Sequence, residues 1–286
     1  FSKPLILCSF AFCFFNFSTE AFRLSSLIWA GVLLFLLDAE GCLCNYNKGN
    51  FLNESINSVI KQEYKNWNLF IIDNFSKDDS KKVLKSFENK FNKINIIYLS
   101  RNMGVAFSRN LGIRVSDSEY ISFLDSDDYW SSNKLLDQIN FMVKSDNVFT
   151  YTDYTPFFSK NYNKIFKKSV ITPNKLIYEQ FINNTCIATS SMIIKRSFIG
   201  RMKFPKVILE DYAFKCKILK KKCIAVKVKN DSMFYRISKN SLSSNKFRNI
   251  YWIWYINKKY NKLSLVKRLK SLLLISISSI MRYGFK

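Results

Sequence analysis

The stretch Tyr120-Ile121-Ser122-Phe123-Leu124-Asp125-Ser126-Asp127-Asp128-Tyr129-Trp130 decides how the rest of the chain is read. Its β-rich run of Tyr120, Ile121, Phe123 and Leu124 delivers three carboxylates within four residues. In an open α/β sheet, ligands bind outside the carboxyl ends of the strands, so this cluster falls where a site is expected. Carboxylates on a tight turn repel one another unless a cation joins them. Asp125 and Asp127, separated by Ser126, can both reach one hard divalent cation, Mn2+ or Mg2+, which keeps open positions for substrate phosphates. In isolation the same residues read better as a solvated turn capping the next helix. The rest of the chain decides between the two.

Composition narrows the chemistry. The chain has 286 residues, 48% of them hydrophobic, enough for one large domain or a domain with an appendage. It contains no histidine, which removes Ser-His-Asp and Cys-His machinery and His-ligated zinc. Acid-base work therefore falls to Asp, Glu, Lys or Tyr. The seven cysteines are odd in number and contain no C-x-x-C pair, which points to reduced thiols in a cytosolic setting. The formal charge of +24 suits nucleic acid or an anionic membrane face, and lysine enrichment by genomic base composition is a third reading.

Residues 1–44 differ in character from the remainder of the chain: two apolar runs, 5–15 and 24–37, flank a polar patch, and each is shorter than the ~20 residues a spanning helix needs. They read first as a membrane-associated segment, then as aberrant sequence, and last as a cleaved export signal. From residue 45 the text is regular α/β. A helix is expected over 51–64, a strand over 68–73, a helix over 78–92 and a strand over 94–99. A helix over Val105–Val115, the strand Tyr120–Asp125 and a helix over 134–144 come next. Such alternation means a largely parallel sheet with helices on its faces. A less regular half carries expected strands at 148–154, 189–195, 223–228 and 233–237, and a helix at 210–221. The last segment, 246–286, is aromatic at 251–255, basic at 258–270 and apolar at 272–281. It fits either a segment lying on a membrane surface or a helix packing its apolar face on the domain.

Four features recur in order: Asp73 at a strand end, the Asn102–Gly112 segment, the acidic cluster, and Glu210-Asp211 opening a helix. With Tyr46-Asn47-Lys48, Asn102-Met103-Gly104, Arg109-Asn110, Tyr235-Arg236 and Ser241-Leu242-Ser243, this text resembles the inverting glycosyltransferases of family 2 over roughly residues 45–245. The resemblance implies an α/β fold of GT-A type, a Rossmann-like nucleotide-binding mixed sheet flanked by helices, with a C-terminal helical appendage over 246–286. It implies transfer of a sugar, with inversion, from a nucleotide-diphosphate sugar, a UDP-sugar first among them. The acceptor is a hydroxyl of a glycan or lipid-linked molecule in surface polysaccharide biosynthesis. The setting is cytoplasmic, at most peripheral on the cytoplasmic face of the inner membrane, with no nucleic-acid partner.

The same resemblance assigns roles. Asp127 makes the direct metal contact and Asp125 a ribose or metal-water contact, with Mn2+ or Mg2+ as Lewis acid. Asp128 faces the acceptor side, Asp211 is the base and Glu210 supports it. Tyr46, Asn47, Asp73, Asn74 and Arg109 line the nucleotide. Plainer readings stand beside these: Asp73 caps its own turn, Arg109 is a helix-surface cation, and Glu210-Asp211 favours a helix macrodipole.

Three positions depart from the family's pattern. Glu40-Gly41-Cys42-Leu43-Cys44 is poor material for a central strand. Asn74 stands where a second Asp is usual, and Ser238 where the family often has His. These departures support a second reading, a remnant that at most binds nucleotide. A basic nucleic-acid-binding protein is the third, without a recognised motif to carry it.

Overall fold

A computed structural model describes residues 37–88, 90–160, 163–238 and 246–283. The expectations for residues 1–36 and for Ser241-Leu242-Ser243 lie outside the described residues. The first half reads β1 (Ala39–Asn45), α1 (Gly49–Ile60), β2 (Trp67–Asp73), α2 (Ser80–Lys85), β3 (Ile94–Tyr98), α3 (Val105–Val115) and β4 (Tyr120–Asp125). The short β5 (Tyr129–Trp130) and α4 (Lys134–Ser145) lead into the second half. There β6 (Phe149–Lys160), β7 (Asn163–Phe166), β8 (Lys175–Leu176), α5 (Tyr178–Phe181), β9 (Ile193–Lys195) and α6 (Arg196–Ile199) precede α7 (Glu210–Leu219) and β10 (Ala225–Arg236). Helices α8 (Lys246–Lys259) and α9 (Leu265–Tyr283) complete the order.

The strands form one mixed sheet in the order β3-β2-β1-β4-β9-β6-β10-β5. Strands β3, β2, β1 and β4 are parallel, whereas β9 runs antiparallel to β4 and to β6. This is the expected α/β architecture, with apolar clusters on both faces of the sheet.

The doubtful first strand is a correction. β1 forms in full, pairing Ala39–Asn45 with Trp67–Asp73 on one side and Ala39–Cys44 with Tyr120–Asp125 on the other. Two complete ladders satisfy its backbone, which outweighs weak side-chain propensity at a central position. Gly41 fits because a Cβ there would stand 3.0 Å from Leu69 Cδ1. The sheet thus begins ahead of residue 45.

Two glycines set the approach to the site. Gly104 has φ +84°, the left-handed region open to glycine, and turns the chain into α3. Gly112 lets α3 lie on β1, since a Cβ there would be 2.1 Å from Cys42 Sγ and 3.0 Å from Cys42 Cβ.

Other differences have local causes. The helix expected over 51–64 ends at Ile60, where the backbone N–H of Gln62 turns back to Val59 O. The helix expected over 78–92 shortens to six residues, and the N–H groups of Ser86 and Phe87 close three-residue turns on Val83 and Leu84. The strands expected at 223–228 and 233–237 are one strand, β10, whose pairing with β6 shifts register between Val228 and Met233. The polar run Lys229-Asn230-Asp231-Ser232 breaks the apolar alternation, while an irregular ladder carries the strand through it.

Candidate functional site

The carboxyl ends of β1, β2 and β4 lie side by side and present Asn45, Asp73 and Asp125. At the β2 end, Asp73 is buried and both its carboxylate oxygens are engaged. Asn45 Nδ2 donates to Oδ1 at 2.8 Å, Ser76 Oγ donates to Oδ1 at 2.6 Å, and the Ser76 N–H donates to Oδ2 at 3.1 Å. This is the turn-capping arrangement, made stronger by Asn45.

Asn74 is also buried. Its Nδ2 donates to Asn102 Oδ1 at 2.9 Å and its Oδ1 accepts from the Met103 N–H at 2.8 Å. A neutral amide donates and accepts at once here, whereas an ionised carboxylate could only accept. The departure at position 74 thus ties β2 to the turn before α3.

Tyr46 is 45% exposed, and Asn47 adopts φ +53° with its Oδ1 accepting from the Lys77 N–H at 2.7 Å. Of these four candidates, Tyr46 offers the open surface on which a base could stack.

The acidic cluster splits three ways. Asp125, at the end of β4, accepts from Arg109 Nη2 at 2.6 Å, while its own N–H donates to Ser190 Oγ at 3.0 Å. Asp127 pairs with Lys48 Nζ at 2.8 Å. Asp128 turns inward: its Oδ2 accepts from Ser190 Oγ at 2.7 Å and its Oδ1 from the Arg236 N–H at 3.0 Å. The acceptor-facing role expected of Asp128 is therefore corrected, because both its oxygens are committed inside the protein. Ser55 Oγ secures the turn from α1, its one hydroxyl proton shared between the carbonyl oxygens of Ser126 and Asp128.

Burial pushes the Asp128 carboxyl well above its ordinary value, and repulsion from Asp127 and Asp125 adds to this against the bonds from Ser190 and Arg236. The native state then holds the proton more tightly than the unfolded chain, so the Asp128 contribution to stability declines as pH rises above about 4. Asp128→Asn is expected to gain on the parent protein by on the order of 1 kcal/mol at neutral pH, an advantage that fades toward about pH 4. Denaturant melts across that range check it, and parallel stability curves would refute the assignment.

Arg109 joins two distant parts of the site. From α3 it donates to Asp125 with Nη2 and to Glu210 with Nη1. Its side chain is buried, so it is not a surface cation. Burial opposes its charge, but Asp125 and Glu210 outweigh that and hold the guanidinium protonated. Its two bonds here go to carboxylates, one of them Asp125 at the strand end where the nucleotide is expected.

Beside Glu210, at the start of α7, Asp211 accepts from Lys215 Nζ at 2.8 Å and from Thr189 Oγ1 at 3.1 Å. Burial alone would raise the Asp211 carboxyl, yet Lys215 and Arg109, with those two bonds, hold it well below the usual carboxylate range. Its side chain stays 30% exposed against 10% for Glu210. Asp211 is thus the ionised, reachable member of the pair, and Glu210 the buried one.

Sequence reading left Lys48, Ser190, Lys215 and Arg236 without roles. Arg236 is buried on β10, where Nε donates to Asp127 O at 2.9 Å and Nη2 pairs with Glu54. Its guanidinium carbon lies 4.3 Å from the Phe51 ring centre and 4.4 Å from that of Phe157. It braces the acidic turn from behind.

A parallel half-sheet ending in an acidic turn, joined through Arg109 to a carboxylate pair opening a helix, is an architecture of the GT-A type. The chain belongs to glycosyl transferase family 2, whose model matches residues 42–203. It is 33% identical over 239 residues to an uncharacterized glycosyltransferase of Haemophilus influenzae, covering 83% of this chain and 94% of that protein. It is 34% identical over 211 residues to the UDP-Glc:alpha-D-GlcNAc-diphosphoundecaprenol beta-1,3-glucosyltransferase WfgD of Escherichia coli, covering 73% of this chain and 81% of that one. The mannosyltransferase PcManGT from Pyrobaculum calidifontis, solved with GDP-Man and Mn2+, shares the fold at a TM-score of 0.63 and 12% identity, over 93% of this chain and 87% of that one.

Proposed function

We propose that this glycosyltransferase moves a sugar from a UDP-sugar to a hydroxyl of a lipid-linked glycan in surface polysaccharide assembly, with inversion. The observation that carries the reading is the Asp125–Arg109–Glu210 bridge, which fixes the acidic strand end against the helix that bears Asp211. The name of the Escherichia coli relative supports the donor and the lipid-linked acceptor.

The residues present fit a divalent metal. Their donors are carboxylate oxygens, suited to Mg2+ or Mn2+. Asp125 and Asp127 each use one oxygen, Oδ1 and Oδ2 respectively, in the ion pairs to Arg109 and Lys48, and each has a second oxygen for a metal. No group of three or more acidic or cysteine side chains forms a metal site among the described residues. Two carboxylates would therefore hold the ion while donor phosphates and water complete its shell, and the ion would supply Lewis acidity to the diphosphate leaving group.

The chain's own residues do the rest. Asp211, ionised beside Lys215, takes the proton of the attacking hydroxyl as the new glycosidic bond forms and the bond from the anomeric carbon to the diphosphate oxygen breaks, releasing UDP. Arg109 holds Asp125 and Glu210 in place, and Tyr46 offers a face to the base. Lys48, paired with Asp127 and 28% exposed, stands where it can meet a donor phosphate.

Thermal melts with UDP, with and without Mn2+, test the reading. At a hundredfold excess over its dissociation constant, UDP with Mn2+ is expected to stabilise the protein by about 2.7 kcal/mol, a rise of roughly 5–10 °C. Asp127→Ala should lose the metal-dependent part. An equal rise without metal would remove the metal from the proposal, and no rise in any arm would remove the nucleotide.

A further inference from the structure

Helix α9 carries apolar residues on two sides: Ile275, buried, and Leu272 pack on the domain core, while a second row faces outward. Its inward side carries Ser271, fully buried, whose hydroxyl donates to Ile182 O and accepts from Asn257 Nδ2 at 3.0 Å. Arg282, further along that side, donates to Asn184 Oδ1 at 2.9 Å and to its carbonyl oxygen at 2.8 Å. The outer side carries Leu265, Leu269, Leu273, Ile277 and Met281 at four-residue intervals, each 45–82% exposed. Side chains four apart form a continuous ridge along a helix. A ridge of exposed leucine, isoleucine and methionine on the surface of a folded domain marks a face that meets a partner.

The surrounding charge selects the partner. Residues 246–283 contain no aspartate or glutamate, while Lys258, Lys262, Lys267 and Lys270 are exposed. A second copy laid on this ridge would bring two basic segments together. An anionic lipid surface supplies both the apolar layer and the opposite charge. No helix among the described residues is long and apolar enough to cross a membrane. We propose that α9 docks the enzyme on an anionic bilayer, lying in the interface with its Leu269–Leu273 ridge inserted among the acyl chains and its lysines at the headgroups. The inference rests on the helix faces alone and does not depend on the donor, metal or acceptor assigned above.

Vesicle flotation of the full chain tests it, with phosphatidylcholine alone and phosphatidylcholine mixed with phosphatidylglycerol. The protein is expected to float with the anionic vesicles and to be released progressively as salt is added. Combining Leu269→Glu with Leu273→Glu should lower vesicle affinity on the order of tenfold or more. Both positions are exposed, so the melting temperature should stay within about 2 °C of the parent. The proposal is overturned if the intact chain stays unbound with both vesicle types, or if the double variant floats as the parent does. It is also overturned if light scattering finds a dimer that the double variant dissolves, which would assign the ridge to a second copy.

Discussion

Arg109→Leu is expected to destabilise the protein by about 3–5 kcal/mol, the cost of removing one partner from a buried ion pair. The guanidinium neutralises two carboxylates at once, and Glu210 is nearly as buried as the arginine itself. Leucine fills much of the space but leaves Glu210 and Asp125 without their shared cation. Burial already raises the Glu210 carboxyl above its ordinary value, with Arg109 opposing and Asp211 adding to the rise. Without Arg109 that rise grows. A carboxyl whose folded pKa exceeds its unfolded value loses stability as pH climbs past about 4.3. The deficit of Arg109→Leu should therefore be largest near neutrality and smaller toward pH 4–5. At about 2–4 °C per kcal/mol, the melting temperature falls by about 10 °C at neutral pH. Adding Glu210→Gln removes the stranded charge and should recover part of the loss, whereas Arg109→Lys cannot reproduce the two-armed contact. An unchanged melting temperature in Arg109→Leu would mean that the bridge contributes no net stability.

That bridge also shows where sequence reading reached and where it stopped. Strands β2, β3 and β4 were legible because their apolar runs are bounded by polar turns, and the acidic turn was legible because its three carboxylates lie within four residues of the text. Glu210-Asp211 was found as a pair at a helix start. Pairings across the fold were not legible. Arg109 meets Glu210 across 101 residues, Lys48 meets Asp127 across 79, and Arg236 meets Asp128 across 108. Nothing local to a lysine or arginine marks such a partner in a chain with 45 basic residues. The direction in which each Asp of the cluster points was equally hidden, since a turn after a strand sends neighbouring side chains to different sides. Hence Asp128 read as acceptor-facing and lies inside. β1 failed as a reading for the opposite reason: its side chains are poor, and the strand is held by ladders that β2 and β4 supply. The outward ridge of α9 was half visible. Its apolar residues were plain, but they line two sides of the helix, and the side that faces the domain is set by Ile275 together with Ser271 and Arg282, polar residues that spacing alone assigns to solvent.

Asp211→Asn is expected to lower kcat by about 10²–10⁴ while leaving the stabilisation by UDP and Mn2+ intact. The carboxylate is the one acidic group at the start of α7 that remains both ionised and partly exposed, and asparagine keeps its size while losing the proton acceptor. Lys215 makes the assignment separable from a structural role. Its ammonium holds Asp211 deprotonated, so the base stays competent well into the acid range and activity should persist there. Lys215→Met removes the cation, lets the Asp211 carboxyl rise toward or above its ordinary value, and should move the acid limb of the kcat profile to higher pH. Burial of Lys215 beside the Ile187 carbonyl means that this variant also loses stability, which melts would register separately. A residue that only braced α7 would lower activity without moving the limb. A pH profile that keeps its acid limb in Lys215→Met, or an Asp211→Asn enzyme that retains full kcat, would shift the search for the base to Glu210, whose removal should then abolish turnover without changing the UDP response.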